Sequence, residues 1–273
     1  MHLNPSPPTV LCIGGHDPSG GAGIGADAEA VRAAGAFALT VITALTDQDT
    51  LGVRAVYPQP AAQVEAQCRA QIADSAPAAI KIGLIGDARL VPVLCAIIDA
   101  HPGLPVVLDP VLAAGAGRPL ADAALVDALL TQLLRRITLV TPNLPEAQRL
   151  SGTADAPECA RRLRAAGARW VLITGTHEEA PAVTNRLYGA DGAEESRTWP
   201  RLPGDYHGSG CTLAAAIAVR LALGLPVPAA VAAAQTYTWT SLARAWRTGC
   251  GQLTPNRLFD LPAPAGEDAG TAP

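Results

Sequence analysis

Lysine is almost missing from this chain. Of its 20 basic residues only Lys81 is a lysine; the others are arginines. Against 24 acidic residues they leave a formal net charge of −4, so no basic footprint for nucleic acid is expected. Aromatic residues are scarce as well, at 4% beside 49% hydrophobic. A core must then be built from Ala, Val, Leu and Ile, the usual filling of a parallel sheet covered by helices. The cysteines Cys12, Cys68, Cys95, Cys159, Cys211 and Cys250 form no CxxC pair. That spacing argues for reduced thiols in a cytoplasmic protein rather than a disulfide framework or zinc site. The first residues lack a basic and then apolar run, so no signal peptide is expected. The most apolar stretch, Leu213 to Ala234, is broken by Arg220, Gly224, Pro226 and Pro228, and no membrane span is expected. Neither a Walker lysine motif nor the protein-kinase signatures occur, so any phosphoryl transfer must use another scaffold.

What remains is a regular alternation. Short apolar runs (Val10–Ile13, Phe37–Leu45, Ala79–Ile82, Val106–Leu108, Leu139–Val140, Trp170–Ile173) alternate with helical patterns at Ala61–Ala73, Arg89–Ala100, Ala121–Leu134, Glu158–Ala166, Thr212–Leu223 and Ala229–Arg247. This predicts a mostly parallel, doubly wound α/β sheet with helices on both faces. Val53–Tyr57 is a candidate extra strand, and Thr184–Tyr188 with Ser196–Trp199 predicts a small antiparallel edge hairpin turning at Ala190–Gly192. One domain is expected over 10–259, with a flexible leader at 1–9 and a disordered Pro/Ala/Gly tail at 260–273. In such sheets ligands bind beyond the carboxyl ends of the strands. Asp17, Gln48, Lys81, Asp109, Asn143 and Thr174 all fall at predicted strand ends.

Two glycine clusters compete for a ligand. Gly208-Ser209-Gly210-Cys211 precedes an Ala/Leu-rich helix, so its backbone N–H groups and the helix dipole would face an anion. The same field should lower the Cys211 thiol pKa and make it a candidate base; a tight turn with an inert cysteine is the simpler alternative. Gly21-x-Gly23-x-x-Ala26 matches a dinucleotide fingerprint and raises an NAD-dependent oxidoreductase as a rival. Against it, Asp17-Pro18-Ser19 separates strand from glycines, and Asp27 would face the incoming pyrophosphate. Asn143 and Glu146, one helical turn apart, suit a hydrated Mg²⁺ or plain helix capping.

Together these motifs have a family order. Asp17-Pro18-Ser19-Gly20-Gly21-Ala22-Gly23-Ile24 with Asp27, Val41-Ile42-Thr43-Ala44-Leu45 with Gln48, Lys81-Ile82-Gly83, Leu108-Asp109-Pro110-Val111, Thr141-Pro142-Asn143-Leu144-Pro145-Glu146 and Gly208-Ser209-Gly210-Cys211-Thr212-Leu213 resemble the hydroxymethylpyrimidine/phosphomethylpyrimidine kinases of thiamine biosynthesis, a ribokinase-like branch. The likeness spans about Val10 to Phe259. It implies a three-layer α/β/α fold and transfer from ATP, with Mg²⁺, to a small aminopyrimidine alcohol and then to its monophosphate. It also implies roles. Gly15, Asp27, Gln48, Leu84 and Val111 would meet the substrate, and Asp109, Thr174, Thr176 and Thr212 would meet ATP. Asn143 and Glu146 would carry the metal. Gly208, Ser209 and Gly210 would hold the transferring group beside Cys211 as base. Relatives that form homodimers make that the expected assembly. A kinase of another small alcohol, such as pyridoxal, and a non-catalytic pyrimidine-binding protein are the alternatives on this fold.

The chain departs from the family pattern at several points. Thr174 stands where the family has lysine, Asp49 where Asn is usual, and Leu84 where Met is common. Gly115-Ala116-Gly117 replaces a Lys-Ser-Gly. Arg118 and Arg201 are the residues available to replace the lost phosphate-neutralising charge.

Overall fold

In the computed structural model, residues 6–114, 117–178, 180–189, 192 and 194–261 are described. Residues 1–5 of the expected leader at 1–9, residues 262–273 of the expected tail at 260–273, Gly115–Ala116 and the hairpin residues 190–191 lie outside the described residues.

Valine- and isoleucine-rich runs form one nine-stranded sheet in the order β3-β2-β1-β4-β5-β6-β7-β8-β9. Its centre is parallel: β1 (Thr9–His16), β2 (Phe37–Asp49), β4 (Ala79–Ile82), β5 (Val106–Leu108), β6 (Leu139–Val140) and β7 (Trp170–Ile173). Both edges are antiparallel. The expected hairpin forms from β8 (Ala182–Tyr188) and β9 (Glu194–Pro200), and β8 also runs antiparallel to β7. The extra strand β3 (Gly52–Pro58) folds back on β2 as a second hairpin. Strand β2 is therefore longer than its apolar run suggested. Thr46 to Asp49 continue it because β3 supplies the ladder partners that the polar side chains do not.

The two-residue period of the strands sorts the core into two layers. Leu11, Ile13, Ile80 and Ile82 pack on one face beneath α2 (Ala61–Ser75), α3 (Val91–Asp99), α4 (Ala123–Ala128), α5 (Leu144–Ser151) and α6 (Ala156–Ala165). Val10, Cys12, Ala79 and Val107 pack on the other beneath α1 (Gly23–Ala33), α7 (Ser209–Ala222) and α8 (Val227–Ala243). The expected three-layer α/β/α arrangement follows. Every residue of α7 from Thr212 to Val219 is buried, which explains the apolar run from Leu213 to Val219; each fully buried Leu, Ile or Val contributes about 1.5–3 kcal/mol. Among the described residues no helix is long and apolar enough to cross a membrane.

Two helices end earlier than their sequence patterns suggest. Only Ala123–Ala128 of the 121–134 run is α-helical, and the chain then loosens and tightens through Leu129–Arg136. Helix α8 stops at Ala243 rather than Arg247. Beyond it Trp246 pairs with Thr254, and the strap turns back so that Gln252 N–H donates to Thr50 O at 2.8 Å. Helix propensity loses there to hydrogen bonds with the tip of the β2–β3 hairpin.

Candidate active site

The parallel strands end together on one side of the sheet, and a cavity of about 390 Å³ opens there. Gly15, Asp27, Gln48, Leu84 and Val111, the residues that the resemblance assigns to the substrate, line it. So do Asp109, Thr174 and Thr176, then Asn143 and Glu146, and finally Gly208, Ser209, Gly210 and Cys211. A register shift between Asp47 and Gln48 delivers the glutamine to this side. Such bulges re-aim a strand's side chains: Asp47 stays outside, ion-paired to Arg54 at 3.0 Å, while Gln48 faces the cavity.

Thr212 is the exception. It is fully buried, donating its hydroxyl proton to Gly208 O at 2.8 Å and accepting Arg257 Nε–H at 2.8 Å. Its proton and one lone pair are committed within the protein and it does not line the cavity, so the structure does not bring it to the expected ATP contact.

The two glycine clusters differ in what their N–H groups do. In the first, Asp17 Oδ1 accepts from Ser19 N at 2.8 Å, and Oδ2 accepts from Ala22 N at 2.7 Å. The loop thus wraps the protein's own carboxylate. Although burial opposes it, hydrogen bonds from His207 and Ser19 hold the Asp17 carboxyl down at about 2. A pyrophosphate cannot use amides that Asp17 already occupies, which removes the dinucleotide reading. In the second cluster Gly208 is the N-cap of α7, in the left-handed region at φ 78°, with no side-chain cap. A Cβ at this position would collide with the Gly21 carbonyl, so only glycine fits. The first intrahelical partner is Thr212 N–H, which bonds Gly208 O. Among the described residues the N–H groups of Ser209, Gly210 and Cys211 make no backbone or side-chain hydrogen bond. They form an open donor set at a positive helix end.

Beneath these loops the charges are buried. Strand alternation turns Lys81 away from Ile80 and Ile82 and under α1 and α7. There its Nζ lies 2.7 Å and 2.8 Å from the two Asp27 oxygens, both side chains essentially inaccessible. Burial pushes the Asp27 carboxyl up against the pull of Lys81. Burial likewise works against the Lys81 ammonium, but the negative charges around it, Asp27 first and then Asp109, hold its pKa above the ordinary range. Asp27 therefore serves first as the counterion of the only lysine.

Asn143 and Glu146 make a complete capping box. Asn143 Oδ1 accepts from Glu146 N at 2.9 Å, and Glu146 Oε2 accepts from Asn143 N at 3.0 Å. The capping alternative is realised without excluding the other, because Glu146 is also buried beside Asp109. Burial and then the Asp109 charge push its carboxyl up, against the N–H groups of Asn143 and Leu112. Asp109 is raised too, by burial first, with Lys81 and a hydrogen bond from Cys211 working the other way. Adjacent buried carboxylates of raised proton affinity are a donor set that a hard cation relieves. Among the described residues no three His, Cys, Asp or Glu side chains form a metal cage. An ion here would keep waters and phosphate oxygens as its other ligands, the usual coordination of Mg²⁺.

The Cys211 expectation is reversed. Burial, with the charges of Asp109 and Asp27, pushes its thiol up to about 12, outweighing Lys81 and a hydrogen bond from Gly23 N–H. At neutral pH it is a thiol. A helix N-terminus lowers a cysteine pKa only where carboxylates do not crowd the same space.

Several residues here were not legible as functional. Arg257 is 1% exposed and ties Thr212, Glu29 (3.0 Å) and the carbonyls of Gly20 and Gly21 together. His207 Nε2 meets Asp17 at 2.8 Å, joining the two glycine loops. On the far wall Trp199 and Trp239 stack at 6.0 Å, beside Gln235 and the buried, unpartnered Thr238 hydroxyl. Only the adjacency of His207 to Gly208 could have signalled any of this.

A three-layer sheet of this topology, with an open helix N-terminus and buried carboxylates at its strand ends, defines a small-molecule kinase of the ribokinase-like class. The phosphomethylpyrimidine kinase family model matches residues 17–256, and the chain belongs to that family. It is 36% identical over 217 residues to the hydroxymethylpyrimidine/phosphomethylpyrimidine kinase of Haemophilus influenzae, covering 76% of this chain and 81% of that one. It is 37% identical to the thiamine biosynthesis multifunctional protein of Corynebacterium efficiens over 77% of this chain, but spans only 29% of that longer protein. Among solved structures, pyridoxal kinase from Staphylococcus aureus with AMP-PCP and pyridoxal superposes with TM-score 0.84 at 27% identity, over 93% of this chain and 94% of that one.

Proposed function

We propose that this chain transfers the γ-phosphoryl group of ATP to the hydroxymethyl group of 4-amino-5-hydroxymethyl-2-methylpyrimidine and then to the resulting monophosphate, in the cytoplasm, as a step of thiamine biosynthesis. The observation that carries the reading is the uncapped N-terminus of α7 opening onto the same cavity as Gln48.

Each end of the cavity suits one half of the reaction. Gln48 offers an amide that both donates and accepts, matched to an aminopyrimidine edge, and Leu84 and Val111 supply apolar walls for the ring. The stacked tryptophans and Gln235 suit the nucleobase. Phosphoryl transfer needs alignment and charge stabilisation more than covalent help. The Ser209, Gly210 and Cys211 amides would stabilise charge on the transferring group. Mg²⁺, held by Glu146 with the help of Asn143, would neutralise phosphate charge. The hydroxyl proton goes to the hydrogen-bonded Cys211–Asp109 pair rather than to a free thiolate. Asp109, raised toward neutrality by burial, is the acceptor, and Cys211 positions the hydroxyl against it. The assembly expected for this enzyme is a homodimer.

The test is a substrate panel with phosphorylated products read directly. The pyrimidine alcohol should exceed pyridoxal in kcat/KM by at least about tenfold, because a site built to pair polar edges rejects an analogue that mismatches them. Preference for pyridoxal would move the chain to the other substrate class. Binding of the pyrimidine with no ADP formed would make it a non-catalytic receptor.

A further inference from the structure

The cavity is too acidic for the ligand its helix end invites. Asp27 and Lys81 cancel each other as an ion pair, and Asp109, Glu146 and Asp205 line the cavity besides. A nucleoside triphosphate adds several further negative charges, and Thr174 contributes none to offset them. One arginine lines this cavity among the described residues, Arg201. Arg118, the other candidate, lies elsewhere: it donates to Val53 O at 3.2 Å and borders a separate hollow beside Gly86.

Arg201 is held in an unusual way. Its Nε donates to Ala180 O at 2.7 Å, Nη1 to Thr176 O at 2.8 Å and Nη2 to Glu178 O at 2.6 Å. All three acceptors are neutral carbonyls of the loop after β7, which carries Thr174 and Thr176. The nearby Glu178 carboxylate is taken by Arg186 at 2.9 Å. Among the described residues no carboxylate pairs with Arg201. A guanidinium has five N–H donors, so two remain after these three bonds. The result is a fixed positive charge, uncompensated among the described residues and with spare donors, braced on the loop beside the strand end where Thr174 sits.

We propose that Arg201 is a positioning residue for the polyphosphate of the bound nucleoside triphosphate, supplying the full positive charge that the Thr174 position lacks. The proposal rests on the kinase reading above. Arginine suits the task because its planar fork matches phosphate oxygens and it stays charged at every working pH.

Equilibrium binding separates this role from a structural one, with ATP and AMP titrated by calorimetry into the parent, Arg201→Gln, and Arg201→Gln combined with Thr174→Lys. Arg201→Gln should weaken ATP about tenfold and AMP less than about twofold, since a charge contact with the outer phosphates is absent from AMP. Adding Thr174→Lys should restore most of the ATP affinity, and thermal melting should show the parent fold in all three. Equal weakening of ATP and AMP would mean that Arg201 only braces the loop, and overturns the proposal. So would unchanged ATP binding in Arg201→Gln, or a lysine at 174 that restores nothing. A parent chain that binds neither nucleotide overturns the kinase reading as well, so the two failures are distinct.

Discussion

The two glycine loops of this protein are made of similar residues and lie against each other, yet one is closed and the other open. Asp17–Gly23 folds around the Asp17 carboxylate, which takes the N–H groups of Ser19 and Ala22. Gly208–Cys211 places three N–H groups at a helix end with no side chain over them. The difference is one acidic residue placed five positions before an amide it can reach. A glycine-rich loop is an anion site only if the protein has not supplied the anion itself. The closed loop then becomes scaffolding: Arg257 and His207 bind it and hold the open loop in register.

That contrast can be tested from its strongest consequence down. On the closed-loop side, Lys81→Met should cost about 3–5 kcal/mol in urea unfolding, because it leaves Asp27 buried without its counterion. A loss below about 1 kcal/mol would mean that the pair is not buried as a pair. On the open-loop side, Gly210→Val should lower kcat by roughly 10²–10³, the scale of losing one oxyanion donor. Its Cβ would stand 3.4 Å from an Asp109 oxygen, filling the approach to the amides, and melting should change little. Full activity in this variant would move phosphoryl stabilisation away from α7.

Asp17→Asn addresses the closure itself. The native carboxyl is held at about 2 against an ordinary 3.8. A depressed folded pKa stabilises the protein above the unfolded value, and the contribution disappears as pH falls through the folded one. Parent and variant should therefore differ by about 2 kcal/mol near neutrality and converge between about pH 4 and pH 2. A constant gap across that window would point to lost packing instead. Gly20→Ala is milder. Gly20 has φ 72° with nothing within 4 Å of a new Cβ, so only backbone strain of about 1–2 kcal/mol applies, and kcat should stay at the parental value. The smallest effect is chemical. Iodoacetamide should modify the exposed Cys250 before Cys211, because a thiol raised to about 12 carries almost no thiolate at neutral pH. Faster reaction at Cys211 would restore the thiolate-base reading.

Much of this site was written locally. Alternating apolar residues placed Gln48, Asp109, Asn143 and Thr174 at strand ends, and a parallel sheet brings its strand ends to one side. Glycine spacing announced both loops, and Asn143 with Glu146 announced a cap, since a capping box is a contact between near neighbours. The strand-helix alternation, the three layers and the β8–β9 hairpin follow from the same short-range periods. What the sequence could not fix was occupancy and charge. Whether a loop's amides are free depends on a carboxylate's reach. Whether Thr212 can meet a ligand depends on Arg257, 45 residues away. His207 meets Asp17 across 190 residues. The Cys211 proton is hidden from the sequence for the same reason. A helix end is visible in sequence, but burial among Asp109 and Asp27 is a property of the assembled sheet, and desolvation and neighbouring charge set a pKa more strongly than one dipole does.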